Sequence, residues 1–130
     1  MHKLYVTGDQ RMDPPTAFDV VYKLAGKLMR RSMERGIPLS EVQLMTGDSP
    51  VGIERAMRYL YADVAPLIIM HYPVGRDGKI DYVGAFQSMD VDHIVILDED
   101  PLSSPIAQAA FKVFGEEKVH LVLDRVLADD

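Results

Sequence analysis

The sequence predicts an α/β fold, a three-layer sandwich with a five-stranded, mainly parallel sheet between two layers of helices. Three observations predict it. Five short apolar runs start near Lys3, Val42, Leu67, Ile94 and Val119, and after the first connection they recur about every 25 residues, the rhythm of βαβ units. The segments between them carry apolar residues three and four apart, which puts one apolar stripe on a helix face. The runs from Leu67 and from Ile94 are apolar without alternation, as expected of parallel strands covered on both faces.

Taken in order, Leu4–Thr7 reads as a strand ending at Gly8-Asp9-Gln10-Arg11. Asp13-Pro14-Pro15-Thr16 starts a helix, with Asp13 or Thr16 as its cap and proline in its first turn. Phe18, Val21, Tyr22, Ala25, Leu28, Met29 and Met33 form its stripe; Gly36 ends it and Pro38 prevents a restart. Val42–Thr46 is the second strand. It runs through Gly47-Asp48-Ser49-Pro50-Val51-Gly52 into a helix with its stripe at Ile53, Ala56, Met57, Leu60, Tyr61 and Val64, and Ser49 is its candidate cap. The third strand begins at Leu67, and Pro73–Lys79 forms a turn. Ile80–Met89 is ambiguous: Tyr82, Val83, Phe86 and Met89 allow a short helix, and Gly84 weakens it. Ile94–Leu97 is a strand ending in Asp98-Glu99-Asp100-Pro101. Ser103-Ser104-Pro105 then starts a helix that carries Ile106, Ala109, Ala110, Val113 and Phe114 and stops at Gly115. Val119–Leu123 is the last strand, and the polar tail 124–130 is expected to fray.

Residues 1–130 thus form a single domain, with no linker or repeat. A net charge of −6 argues against a nucleic-acid footprint, which needs clustered Lys and Arg. The chain has no cysteine, so no disulfide framework, thiol nucleophile or Cys-ligated metal is possible. Its four histidines are scattered without ligand spacing, and no metal or cofactor is expected. No run reaches the roughly 20 apolar residues of a membrane span, and the N-terminus enters a strand at once without a leader. A cytoplasmic homo-oligomer is expected.

In parallel sheets, ligands sit beyond the carboxyl ends of the strands, where strand order reverses. Glycine and polar residues concentrate at those ends here. Gly47–Gly52 has the glycine spacing of a Walker A loop, but Ile53 and Glu54 stand where that loop has Lys and Ser or Thr. What remains is a glycine-bracketed entry to a helix, which suits an anion. Gly8 permits close backbone approach, and Arg11 could pair with a phosphate. Asp98 is positioned to hold a hydroxyl, and Ser103 and Ser104 form a second helix entry. The expected ligand-binding residues are Gly8, Asp9, Arg11, Gly47, Asp48, Ser49, Gly52, Ser103 and Ser104. The expected catalytic carboxylates are Glu54 and Asp98. Gly52→Asp is expected to abolish binding with the fold intact.

LYVTGDQR, VQLMTGDSPVGIERAMRYL and HIVILDEDPLSSPIAQAAFKVFG together resemble the SLOG superfamily of Rossmann-like proteins, which includes LOG-type nucleotide phosphoribohydrolases and DprA-like proteins. Small members carry a strand ending in Gly-Ser-Arg, a second ending in Gly-Gly-Ala-x-Gly-x-Asp and a later Ser-x-Gly-Thr stretch. Gly8–Arg11, Gly47–Glu54 and Ser103–Ile106 stand in those places. The resemblance implies binding of a nucleotide or nucleotide-derived ligand, such as a nucleotide sugar or signalling nucleotide. The Pro-Gly-Gly-x-Gly-Thr-x-x-Glu run of LOG enzymes is missing. A more distant likeness is to nucleoside deoxyribosyltransferases, with Gln108 near the place of their nucleophilic Glu; a glutamine cannot form that glycosyl ester. The alternatives are an N-glycosidic hydrolase or transferase using Glu54 or Asp98, and an assembly module with a vestigial pocket that presents Tyr59 with Tyr61 or Tyr82 with Phe86.

Overall fold

In the computed structural model, which describes residues 2–36, 38–62 and 66–128, β1 (His2–Gly8) is the central strand of the sheet. β2 (Val42–Gly47) lies on one side of it and β4 (His93–Leu97) on the other. β3 (Leu67–Met70) and β5 (Val119–Leu121) are the edges. The order is β3-β2-β1-β4-β5 and every pair is parallel. This is the expected Rossmann-like three-layer sandwich.

Because the sheet grows first to one side of β1 and then to the other, the connecting helices must lie on opposite faces. α1 (Pro14–Arg35) and α2 (Gly52–Tyr61) pack on each other over one face, around Val6, Val95 and Leu97. α3 (Tyr82–Gln87) and α4 (Pro105–Phe114) cover the other face, around Tyr5, Ile94 and Ile96. The alternation of Tyr5 and Val6 between the two cores is the two-residue period of a strand.

The ends of α1 and the start of α4 follow the sequence signals. Asp13 caps α1 by accepting from Thr16 N at 3.3 Å, and Gly36 closes it at φ 66°. Ser104 caps α4 by accepting from Ala107 N at 3.3 Å, ahead of Pro105. The ambiguous stretch forms α3, capped by Asp81, whose carboxylate accepts from Gly84 N at 2.9 Å. A Cβ on residue 84 would run into that carboxylate, so the glycine that weakens the helix propensity is what admits its cap.

Three expectations are corrected. β3 is an edge strand: Ile68 and Ile69 are each 42% exposed, so the run from Leu67 is not covered on both faces. Apolar content alone does not separate a buried strand from an apolar edge. At the C-terminal end, the last strand stops at Leu121 rather than Leu123, and Leu123 with the first residues of the expected tail forms α5 (Leu123–Leu127), which docks Leu123 and Val126 against the α1–α2 core. Ser49 does not cap α2; the cap position is Val51, without a side-chain bond. Val64, expected on the α2 stripe, lies outside the described residues. Of the proposed assembly faces, Phe86 is fully buried in the core, while Tyr59 is 65% exposed beneath the Arg55 guanidinium, 4.6 Å from its ring centre. No helix among the described residues is long and apolar enough to cross a membrane.

Candidate functional site

The cleft lies where strand order reverses, between the carboxyl ends of β1 and β4. A Cβ on residue 8 would collide with the Leu97 carbonyl, so glycine is what lets the two strand ends approach. Asp9 N donates to Leu97 O at 2.9 Å and turns the chain across the end of β4. The turn is closed by Asp9 Oδ1, which accepts from Arg11 N at 2.8 Å and from Arg11 Nε at 3.2 Å. On the other side, Asp98 Oδ1 accepts from Asp100 N at 2.8 Å and starts the bend that leads into α4. Ser103 Oγ donates to Asp100 Oδ2 at 2.7 Å and holds that bend. Tyr82, at the start of α3, forms the third wall, and its hydroxyl accepts from Gln10 Nε2 at 3.0 Å. The volume of the cleft is about 170 Å³.

Six of the expected residues therefore meet here: Gly8, Asp9, Arg11, Asp98, Ser103 and Ser104. Gln10, Tyr82, Pro105 and Ile106 complete the lining. Gln10 sits inside a stretch already marked by its glycine. Tyr82 carries no local signal, because only the fold-back of the Pro73–Asp81 turn brings it to the rim; that turn is closed by Asp81 N donating to Pro73 O at 2.8 Å.

Gly47, Asp48, Ser49 and Gly52 do not line this cleft. Their bend lies beside the first one but serves the protein's own groups. Ser49 N donates to Glu54 Oε1 at 3.2 Å, Val51 N to Ser49 Oγ at 3.4 Å, and Ile53 N to Asp9 O at 3.3 Å. Arg58 clamps two carbonyls of the bend, donating to Gly47 O at 2.7 Å and Ser49 O at 2.5 Å. Asp48 accepts from Tyr72 N at 3.3 Å and pairs with His71 Nδ1 at 3.0 Å, closing the β2–β3 end. Gly52 sits at φ 70°, and a Cβ there would strike the backbone of Asp9 and Gln10. Gly52→Asp therefore disturbs the fold as well as the rim. Gly52→Ala is expected to lower the unfolding free energy by about 1–3 kcal/mol, the range for strained backbone held by its surroundings. A urea titration reads this, and a loss under half a kcal/mol (roughly the noise of a surface change) would show that the two bends are not in contact.

Glu54 also lies outside the cleft. It is 1% exposed and sits at the third position of α2, where a carboxylate satisfies free amides and meets the positive end of the helix. Its carboxylate accepts from Thr7 Oγ1 at 2.8 Å, from Ser49 N, and from the hydroxyl of Tyr72 in a very short bond. Tyr72 and Tyr5 share a hydrogen bond at 2.5 Å. A Cβ on residue 47 would land on both the Glu54 carboxylate and the Tyr72 hydroxyl. Gly47 is thus explained by packing around a buried carboxylate. Burial pushes the Glu54 carboxyl above the ordinary glutamate range, against the pull of its donors and of Arg58. Burial and the Glu54 charge push the hydroxyls of Tyr5 and Tyr72 up as well.

The cleft is predominantly acidic. Arg11 is exposed and already paired with Asp9, which raises the guanidinium further. Asp98 is 7% exposed. Burial raises its carboxyl, and the charges of Asp9 and Asp100 add to the rise while the Asp100 amide opposes it. Only Oδ1 accepts from the protein, and no sealed side-chain polar atom lacks a partner among the described residues. Asp98 Oδ2 therefore keeps access to solvent, and Asp98 is among the residues that line the cleft. An acceptor of this kind suits ligand hydroxyl or amino groups better than a phosphate. No three His, Cys, Asp or Glu side chains come together as a metal-binding group among the described residues. No protein-family model, curated protein or solved structure matches the chain.

Proposed function

We propose that the protein binds a nucleotide or nucleotide-derived ligand at the β1–β4 cleft, as a cytoplasmic member of the SLOG superfamily. The observation that carries this reading is Asp98, a nearly buried carboxylate with one oxygen not engaged by the protein, among the residues lining a cleft at the strand-order reversal. Asp98 accepts from the sugar hydroxyls. Arg11, at the mouth, meets the anionic part of the ligand, with Ser103 beside it. Gly8 contributes by keeping the floor thin enough for backbone approach. Gly47, Asp48, Ser49 and Gly52 act indirectly, by buttressing the Asp9–Gln10 turn.

The test is thermal unfolding against a panel of nucleoside monophosphates, nucleotide sugars and cyclic dinucleotides. At least one is expected to raise the midpoint, since a ligand at 100 times its Kd adds about 2.7 kcal/mol. A panel in which none does would overturn the reading.

A second reading is N-glycosidic hydrolysis or transfer, favoured by the raised carboxyl of Asp98, since a general acid or base works best with a pKa near the working pH. In that reaction Asp98 faces the sugar, while Glu54, sealed in its network, holds the site from behind. Free base in chromatograms of nucleoside monophosphate incubations is the expected product. Its absence leaves binding alone.

A further inference from the structure

We propose that the ligand is a nucleoside monophosphate held in two parts, its sugar in the β1–β4 cleft and its base in a second cavity on the far side of Tyr82. The inference rests on the nucleotide reading and assigns the base a place. At about 170 Å³ the first cleft is smaller than the roughly 300 Å³ at which ordinary ligand pockets begin. It has room for a sugar but not for a whole nucleotide. The second cavity, about 320 Å³, lies between the start of α3 and the outer face of α4 and shares Tyr82 and Pro105 with the first. A ligand anchored on Asp98 that outgrows the first cleft meets Tyr82 as its next surface.

The second cavity has the chemistry of a base site. Ile80, Val83 and Ala109 give it apolar walls, and Gln108 and Lys112 give it polar groups. Gln108 is anchored, donating to Leu102 O at 2.6 Å. The first cleft, by contrast, is lined by Asp9 and Asp98 and favours hydroxyls. The divider is held in place from both directions. Gln10 donates to the Tyr82 hydroxyl from inside the first cleft. Tyr72 packs edge-on against the Tyr82 ring, with centres 5.0 Å apart at 74°. Tyr72 is itself locked by its hydrogen bonds to Glu54 and Tyr5. The buried network thereby gains a role beyond stability: it fixes the ring on which the base lies. A fixed ring binds without losing side-chain freedom.

Calorimetric titration of ribose 5-phosphate and of the four common nucleoside 5′-monophosphates separates the inference from the reading beneath it. At least one monophosphate is expected to bind about tenfold or more tightly than ribose 5-phosphate, the gain from one stacked base. Ile80→Trp fills the second cavity from a residue that is 43% exposed, so the core is untouched. In that variant the advantage of the monophosphate is expected to vanish while ribose 5-phosphate binds as before. Tyr82→Leu, which removes the ring and with it one wall of the first cleft, is expected to abolish the advantage as well, while also weakening ribose 5-phosphate. If ribose 5-phosphate and the monophosphates bind equally to the unmodified protein, or if the advantage survives both variants, the base lies elsewhere and the inference fails alone. If neither kind of ligand binds, the nucleotide reading itself fails.

Discussion

Glu54→Ala is expected to lower the unfolding free energy by about 3–5 kcal/mol, the loss seen when one partner is removed from a buried charged network. The reason is what the substitution leaves behind. Thr7 Oγ1, the Tyr72 hydroxyl and Ser49 N all donate to this carboxylate, and Thr7 and Tyr72 are buried. Alanine leaves those donors facing a void, with the Gly47 bend unanchored on that side. Glu54→Gln keeps the shape and one acceptor oxygen, so its loss is expected to be smaller. The two variants also differ in pH dependence. Burial raises the Glu54 carboxyl in the folded state, so the folded protein holds this proton more tightly than the unfolded chain. Its contribution is complete below the ordinary glutamate range and is lost as pH climbs through the raised value. Glutamine does not titrate. The stability advantage of the unmodified protein over Glu54→Gln is therefore expected to shrink as pH rises from the ordinary glutamate range through the raised value. An advantage that widens over that range would mean that the fold favours the ionised form, and the account of this network would be wrong.

The network also shows what a sequence can and cannot convey. Strand and helix positions were legible because period and capping are local: Asp13, Gly36, Ser104 and Pro105 do what their types imply. The cleft was legible through Gly8 and Asp98, which sit at strand ends whatever the side-chain detail. The meaning of Gly47 and Gly52 was not. A glycine before a helix serves equally to admit a phosphate or to admit the protein's own atoms. Here Gly47 admits Glu54 and Tyr72, and Gly52 admits the backbone of Asp9. Those partners come from α2, from the end of β3 and from the turn after β1, and their meeting is a property of the assembled sheet. Tyr82 was hidden for the same reason. The edge position of β3 was hidden because strand order is set by the direction in which the chain crosses the sheet, and composition does not record that direction.

Asp98→Asn is expected to weaken binding of whichever nucleotide raises the unfolding midpoint by about tenfold to a hundredfold, the equivalent of about 1.5–3 kcal/mol for a hydrogen bond to a charged group. The fold is expected to be unaffected or slightly stabilised. Asparagine can still accept from Asp100 N through its oxygen, and removing the charge relieves repulsion from Asp9 and Asp100. Affinity and stability then move in opposite directions, which a merely structural role for Asp98 would not produce. The same opposition appears in pH. The folded-state carboxyl is raised, so its contribution to folding is complete below the ordinary aspartate range and falls as pH rises through the raised value. Ligand binding uses the ionised carboxylate as an acceptor. It is therefore expected to be strong above the raised value and to fall as pH drops through it. In Asp98→Asn the affinity should be flat across that window. Titrations of both proteins at a series of pH values separate the outcomes: parallel affinity curves would show that the ligand does not touch Asp98, and the cleft between β1 and β4 would lose its claim to be the site.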